Sequence, residues 1–141
     1  MADKKLKRIL VPLDGSKFSE KGLTEAIYYA KLTNAEITGL TVVVVHPTLA
    51  STVLNYKKYL TEKSEKNLDS AKQKCEKEGI KFNSKILYGK PSTEISEFAK
   101  KEKFDLIIVG SRGLSGIKHT ILGSIASGIV QKSKTSVLVV K

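Results

Sequence analysis

FDLIIVGSRGLSGIKHTILGSIASGIVQK, residues 104–132, reads as a buried strand, a glycine-rich loop and a helix, in that order. Phe104 to Val109 is apolar at all but one position, the pattern of a strand covered on both faces, as in a parallel sheet. Gly110 to Gly123 is the loop. Ser124 to Lys132 has the length and caps of a short helix. Gly110 and Gly113 are separated by two residues, Gly113 and Gly123 by nine. Glycines allow backbone N–H groups to approach an anion with no Cβ in the way. The helix start at Gly123 and Ser124 adds free N–H donors and a partial positive charge. The Ser124 hydroxyl is suited to a phosphate contact or to capping its own helix. The chain has neither the G-x-x-x-x-G-K-[ST] P-loop nor G-x-G-x-x-G. Glycine count alone therefore leaves two readings open, a phosphate cradle and a ligand-free loop.

The same strand-then-helix alternation extends back to the N-terminus. Arg8 to Leu13 reads as a first strand. Phe18 to Leu32 reads as a helix with Leu23, Ala26, Ile27 and Ala30 on one face, capped by Ser16 or Ser19. Ile37 to Val45 is a second, strongly apolar strand that His46 and Pro47 terminate. Thr48 to Asn55 reads as a loop or a poorly marked helix start, and Tyr56 to Glu78 as a long helix capped by Gly79. Ile80 to Tyr88 is a third strand. Gly89 turns the chain, and Pro91 opens a helix that buries Ile95, Phe98 and Ala99. Ser136 to Val140 is a fifth strand. The order βαβαβαβαβ implies an α/β domain with a parallel sheet covered on both faces. No linker, repeat or low-complexity stretch marks a second domain, so residues 1–141 are expected to form one.

In doubly wound sheets ligands bind beyond the carboxyl ends of the strands, where the strand order reverses. Asp14 leaves the first strand at that end, and Gly110 leaves the fourth. Asp14 is suited to accept hydrogen bonds from a ribose or an adenine edge, to help hold a metal, or merely to close an Asx turn before the first helix. The residue alone leaves these three open.

Composition excludes several classes. The single cysteine, Cys75, cannot form an internal disulfide, which points to a reducing, cytoplasmic compartment. No apolar run approaches the length of a membrane span, and the apolar segment after the basic N-terminus is too short for a signal peptide. With 25 Lys and Arg against 14 Asp and Glu, the net charge is +11. That charge concentrates small polyanions near the protein. Without a basic-aromatic stripe, specific nucleic-acid binding is not expected. No Cys/His cluster suggests zinc. Lys118 and His119 in the loop have no visible partner and read as incidental.

Taken together, ILVPLDGS, ITGLTVVVV, GKPSTEISEFA, FDLIIVGSRG, LGSIASGIV and SVLVV resemble the universal stress protein family over nearly the whole chain. The G-x2-G-x9-G-[ST] pattern of its ATP-binding branch is matched in register by Gly110, Gly113, Gly123 and Ser124. The resemblance implies a doubly wound five-stranded parallel sheet of order 3-2-1-4-5 with four helices. It implies ATP as ligand, with Mg²⁺ or Mn²⁺ arriving on the phosphates. Pro12 and Asp14 would border the adenine and ribose, and Val42 would pack on or hydrogen-bond the adenine. Gly110, Arg112 and Gly113 would line the ribose and phosphate path, with Arg112 pairing a phosphate oxygen or pointing into water. Gly123, Ser124 and Ile125 would hold the phosphates. It also implies a homodimer paired through Val137 to Val140, an apolar edge of the kind that invites pairing.

No catalytic residues stand out, and at most slow hydrolysis is expected. The expected role is a nucleotide-dependent regulatory module whose occupied loop is read by an unidentified protein partner. A nucleotide-free homodimeric interaction module and an AMP or cAMP sensor are the alternatives. A receiver domain lacks its acidic cluster here, and an FMN carrier would be yellow.

Overall fold

Ile9, Leu10 and Val11 are fully buried in succession, so the first strand is covered on both sides. The structure, a computed structural model, describes residues 4–44, 50–113 and 122–141, the side chains of 50–53 excepted. The elements are β1 (Arg8–Pro12), α1 (Lys17–Thr33), β2 (Glu36–Val43), α2 (Ala50–Lys77), β3 (Phe82–Tyr88), α3 (Pro91–Lys101), β4 (Leu106–Gly110), α4 (Ser124–Lys132) and β5 (Ser136–Val140). All strands are parallel, in the order β3-β2-β1-β4-β5.

This order determines where the helices lie. The chain steps one way from β1 to β2 to β3 and the other way from β4 to β5. Right-handed crossovers then put α1 and α2 on one face and α3 and α4 on the other. The core divides accordingly. Ile9, Val11, Ile37 and Ile108 pack with Leu23 and Ala26 of α1 and Leu68 and Cys75 of α2. Leu10, Leu40, Ile107 and Val109 pack with Ile95 and Ala99 of α3 and Ala126 and Ile129 of α4. The strand order reverses between β1 and β4.

Several element ends differ from the sequence-based expectation, each for a local reason. The third strand begins at Phe82 rather than Ile80 because residues 79–80 close α2. Gly79, at φ +72, and Ile80 donate their N–H groups to the carbonyls of Glu76 and Cys75. The fourth strand begins at Leu106 rather than Phe104 for the same reason. Lys103, at φ 55, and Phe104 donate back to Lys100 and Ala99. Asp105 is also engaged, its Oδ2 accepting the N–H groups of Lys7 and Arg8 at 2.9 Å each. The second strand ends at Val43 rather than Val45 because its partner stops at Tyr88 and Gly89 turns away, donating to the Val43 carbonyl. The second helix begins at Ala50 rather than Tyr56; no glycine or proline interrupts residues 50–55. Val45, His46 and Pro47, and the loop residues Lys118 and His119, lie outside the described residues.

Cys75 is fully buried in α2, and burial, then the neighbouring Glu76, pushes its thiol up to about 11 from 9.0. The folded chain keeps this proton where the unfolded chain has lost it. Its stabilising contribution is therefore complete below pH 9 and disappears as pH climbs towards 11. Urea titrations at pH 8 and 10.5 are expected to show a smaller loss of stability with pH in Cys75→Ala than in the wild type. At pH 8 a thiol reagent is expected to label Cys75 only at the rate of global unfolding.

Candidate nucleotide-binding cleft

The carboxyl ends of β1 and β4 diverge into a cleft of about 300 Å³ on the α3/α4 side of the sheet. Leu40, Val42 and Val44 alternate along β2 and its extension, so one side of that strand forms an apolar wall. Pro91 and Ile95 of α3 close it from above, and Ile125 and Ala126 of α4 from the side.

The turn after β1 is tied down on three sides. The Leu13 N–H donates to the Leu40 carbonyl at 2.8 Å, and the Thr41 hydroxyl donates to the Leu13 carbonyl at 2.9 Å. Asp14 Oδ1 accepts the Ser16 N–H at 2.9 Å, which is an Asx turn. Gly15 occupies the left-handed region at φ 83, beside the Asn67 amide of α2. Ser16 then caps α1, accepting the Ser19 N–H at 3.1 Å. The Asx turn uses one carboxylate oxygen, and the second has no hydrogen-bond partner among the described residues. Asp14 Oδ2 faces Gly113 across the cleft, 2.9 Å from where a Cβ would sit.

The loop mouth is held just as firmly. Ser111 donates its N–H to the Val140 carbonyl at 2.8 Å and accepts the Gly123 N–H at 2.6 Å. The chain thus leaves β4 and returns to α4 at adjacent points. Gly123 is the N-cap of α4 and brings no side-chain cap, and no acidic residue sits in the first turn. Ser127 makes the first intrahelical bond, to the Gly123 carbonyl. The N–H groups of Ser124, Ile125 and Ala126 therefore start the helix without intrahelical partners, at the rim of the cleft.

The model of the universal stress protein family matches residues 5–141. The chain belongs to the universal stress protein family. Universal stress protein MJ0531 of Methanocaldococcus jannaschii is 35% identical over 139 residues, covering 96% of this chain and 82% of that protein. The solved structure of MJ0577 from the same organism superposes with a TM-score of 0.90 at 31% identity, covering 98% of this chain and 97% of that one. A universal stress protein solved in complex with cAMP gives a TM-score of 0.75 at 28% identity, covering 96% and 97%.

In this family member Pro12, Asp14, Val42, Gly110, Arg112, Gly113, Gly123, Ser124 and Ile125 all line the one cleft. Arg112 does more than face water: its guanidinium lies over the Phe18 ring, 5.9 Å from the centroid. Sequence reading missed the contributions of Val44, Pro91 and Ile95. Val44 was within reach of the period-two pattern through Val42. Pro91 and Ile95 come from a helix whose approach depends on the crossover. Asp14 is the one carboxylate among the described lining residues. Among the described residues no three His, Cys, Asp or Glu gather as a metal site, and no helix is long and apolar enough to cross a membrane.

Proposed function

We propose that this chain is a nucleotide-dependent regulatory module of the stress response that binds ATP in the cleft between β1 and β4. The observation that carries the reading is the uncapped start of α4 opening into an apolar-walled cleft. N–H groups without a partner among the described residues and the positive end of a helix suit a phosphate, and the apolar wall suits a purine. Adenine would pack between Val42, Pro12 and Ile125. Asp14 Oδ2 would accept a ribose hydroxyl. The phosphates would pass Gly110, Arg112 and Gly113 to the N–H groups of Ser124 and Ile125 and the Ser124 hydroxyl. Mg²⁺ or Mn²⁺ would be held chiefly by phosphate oxygens, a mode that needs few protein carboxylates and fits the lone Asp14.

Hydrolysis is slow at most. Asp14 is the only acid described in the cleft, and one of its oxygens is committed to the Ser16 N–H. A protein partner in the cytoplasm reads whether the cleft is occupied by ATP.

The test is thermal unfolding with ATP·Mg²⁺. At a hundredfold excess over Kd, binding adds about 2.7 kcal/mol, which raises Tm by several degrees. An unmoved Tm counts against the proposal. AMP and cAMP run alongside separate out the second reading, an adenine monophosphate sensor, which the similarity to a cAMP complex favours. A larger shift with cAMP than with ATP would select it.

The chain is further proposed to dimerise along β5. Among the described residues that strand pairs only with β4 and nothing pairs with its other edge, and Val130 of the adjacent α4 is 48% exposed. The opposite edge, β3, carries the exposed Lys85, a residue that discourages pairing. Light scattering is expected to give twice the 15.5 kDa chain mass. A monomer at micromolar concentration would leave the β5 edge to another partner.

A further inference from the structure

The long helix α2 sorts its charges by side. At about 100° per residue, Ser64, Leu68, Ala71 and Cys75 form its buried stripe against the sheet. Glu62, Glu65, Asp69 and Glu76 fall together on the flank towards β3, where Glu65 and Asp69 border a groove with Ser84 and Lys85. The side facing away from the sheet carries Tyr59, Lys63, Lys66, Ser70, Lys74 and Lys77, spaced by three or four residues. All of these are exposed, and none is acidic. Lys63, Lys66 and Lys77 make no ion pair among the described residues, and Lys74 reaches only Glu20 of α1, at 3.9 Å. The row ends in a pair of rings. Tyr56 and Tyr59 stack with centroids 6.3 Å apart at 26°, and they are 53% and 55% exposed. The row is hidden in the sequence because the four acids of the β3 flank are interleaved with it.

From Tyr56 to Lys77 the row runs about 30 Å at 1.5 Å per residue. Such a line of cations suits a linear polyanion, whose phosphates meet lysines with release of counterions. Exposed rings at the end of the line suit unpaired bases, which stack on aromatic side chains. An anionic bilayer would need apolar side chains to insert from the same side, and the row has none from Lys63 to Lys77. We propose that the outer side of α2 binds single-stranded nucleic acid without sequence preference, its phosphates along the lysines and its bases on Tyr56 and Tyr59. The net charge of +11 thereby has a place to act. α2 packs on β2 and β3, away from β5 and on the face of the sheet opposite the cleft. A dimer along β5 and an occupied cleft both leave the row uncovered, so the inference is independent of the nucleotide reading.

Fluorescence anisotropy with a labelled oligothymidylate of about 15 nucleotides tests it. Wild type is expected to bind in the micromolar range at low salt, with a slope of log K against log salt of about −3, about −0.7 for each lysine of the row. The triple variant Lys63→Gln, Lys66→Gln, Lys77→Gln is expected to weaken binding at least about tenfold and to flatten the slope by about 2. Lys100→Gln, Lys101→Gln and Lys134→Gln together remove the same charge from other exposed positions. That triple is expected to cost less than about twofold, because salt screens distant charges. Tyr59→Leu is expected to cost about fivefold, the low end of base-stacking losses, and Tyr59→Phe almost nothing. Melting curves check that each variant is folded. Equal losses in the two triples, or a duplex of the same length bound more tightly than the single strand, would reduce the binding to bulk charge and overturn the proposal. No binding at low salt would overturn it too. Phosphatidylserine vesicles bound more tightly than the oligonucleotide, and released in the α2 triple, would give the row to a membrane surface instead.

Discussion

Gly123→Val is expected to weaken ATP binding at least about a hundredfold while the chain still folds. A Cβ at Gly123 would meet the Arg112 Cα at 3.3 Å, the Ser111 carbonyl oxygen at 3.4 Å and the Gly113 nitrogen at 3.6 Å. One methyl is tight there, and the two γ-methyls of valine have to go further, into the space from which a phosphate would reach the helix start. The backbone at Gly123, φ −68 and ψ 166, is one that any residue adopts, so the cost falls on the site rather than on the fold. Losing two charge-assisted hydrogen bonds of about 1.5–3 kcal/mol each accounts for a hundredfold or more. Ser124→Ala is the contrast. It removes a hydroxyl and leaves the N–H groups, so its loss is expected to stay within about tenfold. Titration of both variants checks this, with a melting curve to show that each is folded. Equal binding by Gly123→Val and wild type would take the phosphates away from α4.

Gly110→Ala is expected to act on stability instead, by about 3 kcal/mol. The added Cβ would lie 2.4 Å from the Phe18 carbonyl oxygen and 2.6 Å from its carbon, both backbone atoms of α1. Backbone cannot rotate aside as a side-chain end does, so the helix has to lift from β4 and the core beneath it loses contact. Gly22 faces the same junction from the helix side, where a Cβ would find Gly110 N at an ordinary 3.4 Å. Gly22→Ala is therefore expected to cost less than about 1 kcal/mol. For a chain of this size the Gly110→Ala loss corresponds to a fall of roughly 10 °C in Tm. A fall below about 2 °C would mean that α1 is not seated this close to the strand.

The sheet was legible because β1, β4 and β5 are runs dominated by Ile, Val and Leu and β2 is largely apolar, while β3, with Asn83, Ser84 and Lys85, is bounded by Gly79 and Gly89. The cleft was legible because the glycines that shape it stand at fixed separations in one segment. What escaped was set by atoms distant in sequence. Ile80 and Phe104 look like strand residues, yet their N–H groups are spent closing α2 and α3. Nothing near Tyr56 shows that α2 extends back to Ala50. The apolar roof of Pro91 and Ile95 depends on which face the third crossover takes. Asp14 carried three readings in the sequence. The structure shows the Asx turn on one oxygen and the other facing Gly113, so the turn is compatible with the proposed ribose contact. The perch of Arg112 on Phe18 joins β4 to α1 and has no local signature at all.

The central claim is that the cleft holds ATP, and calorimetric titration of ATP·Mg²⁺ into ligand-free protein tests it most directly. The account predicts one site per chain with a micromolar constant. No heat at several temperatures, with folded and ligand-free protein, would contradict it and leave a nucleotide-free module whose working surface is the β5 edge.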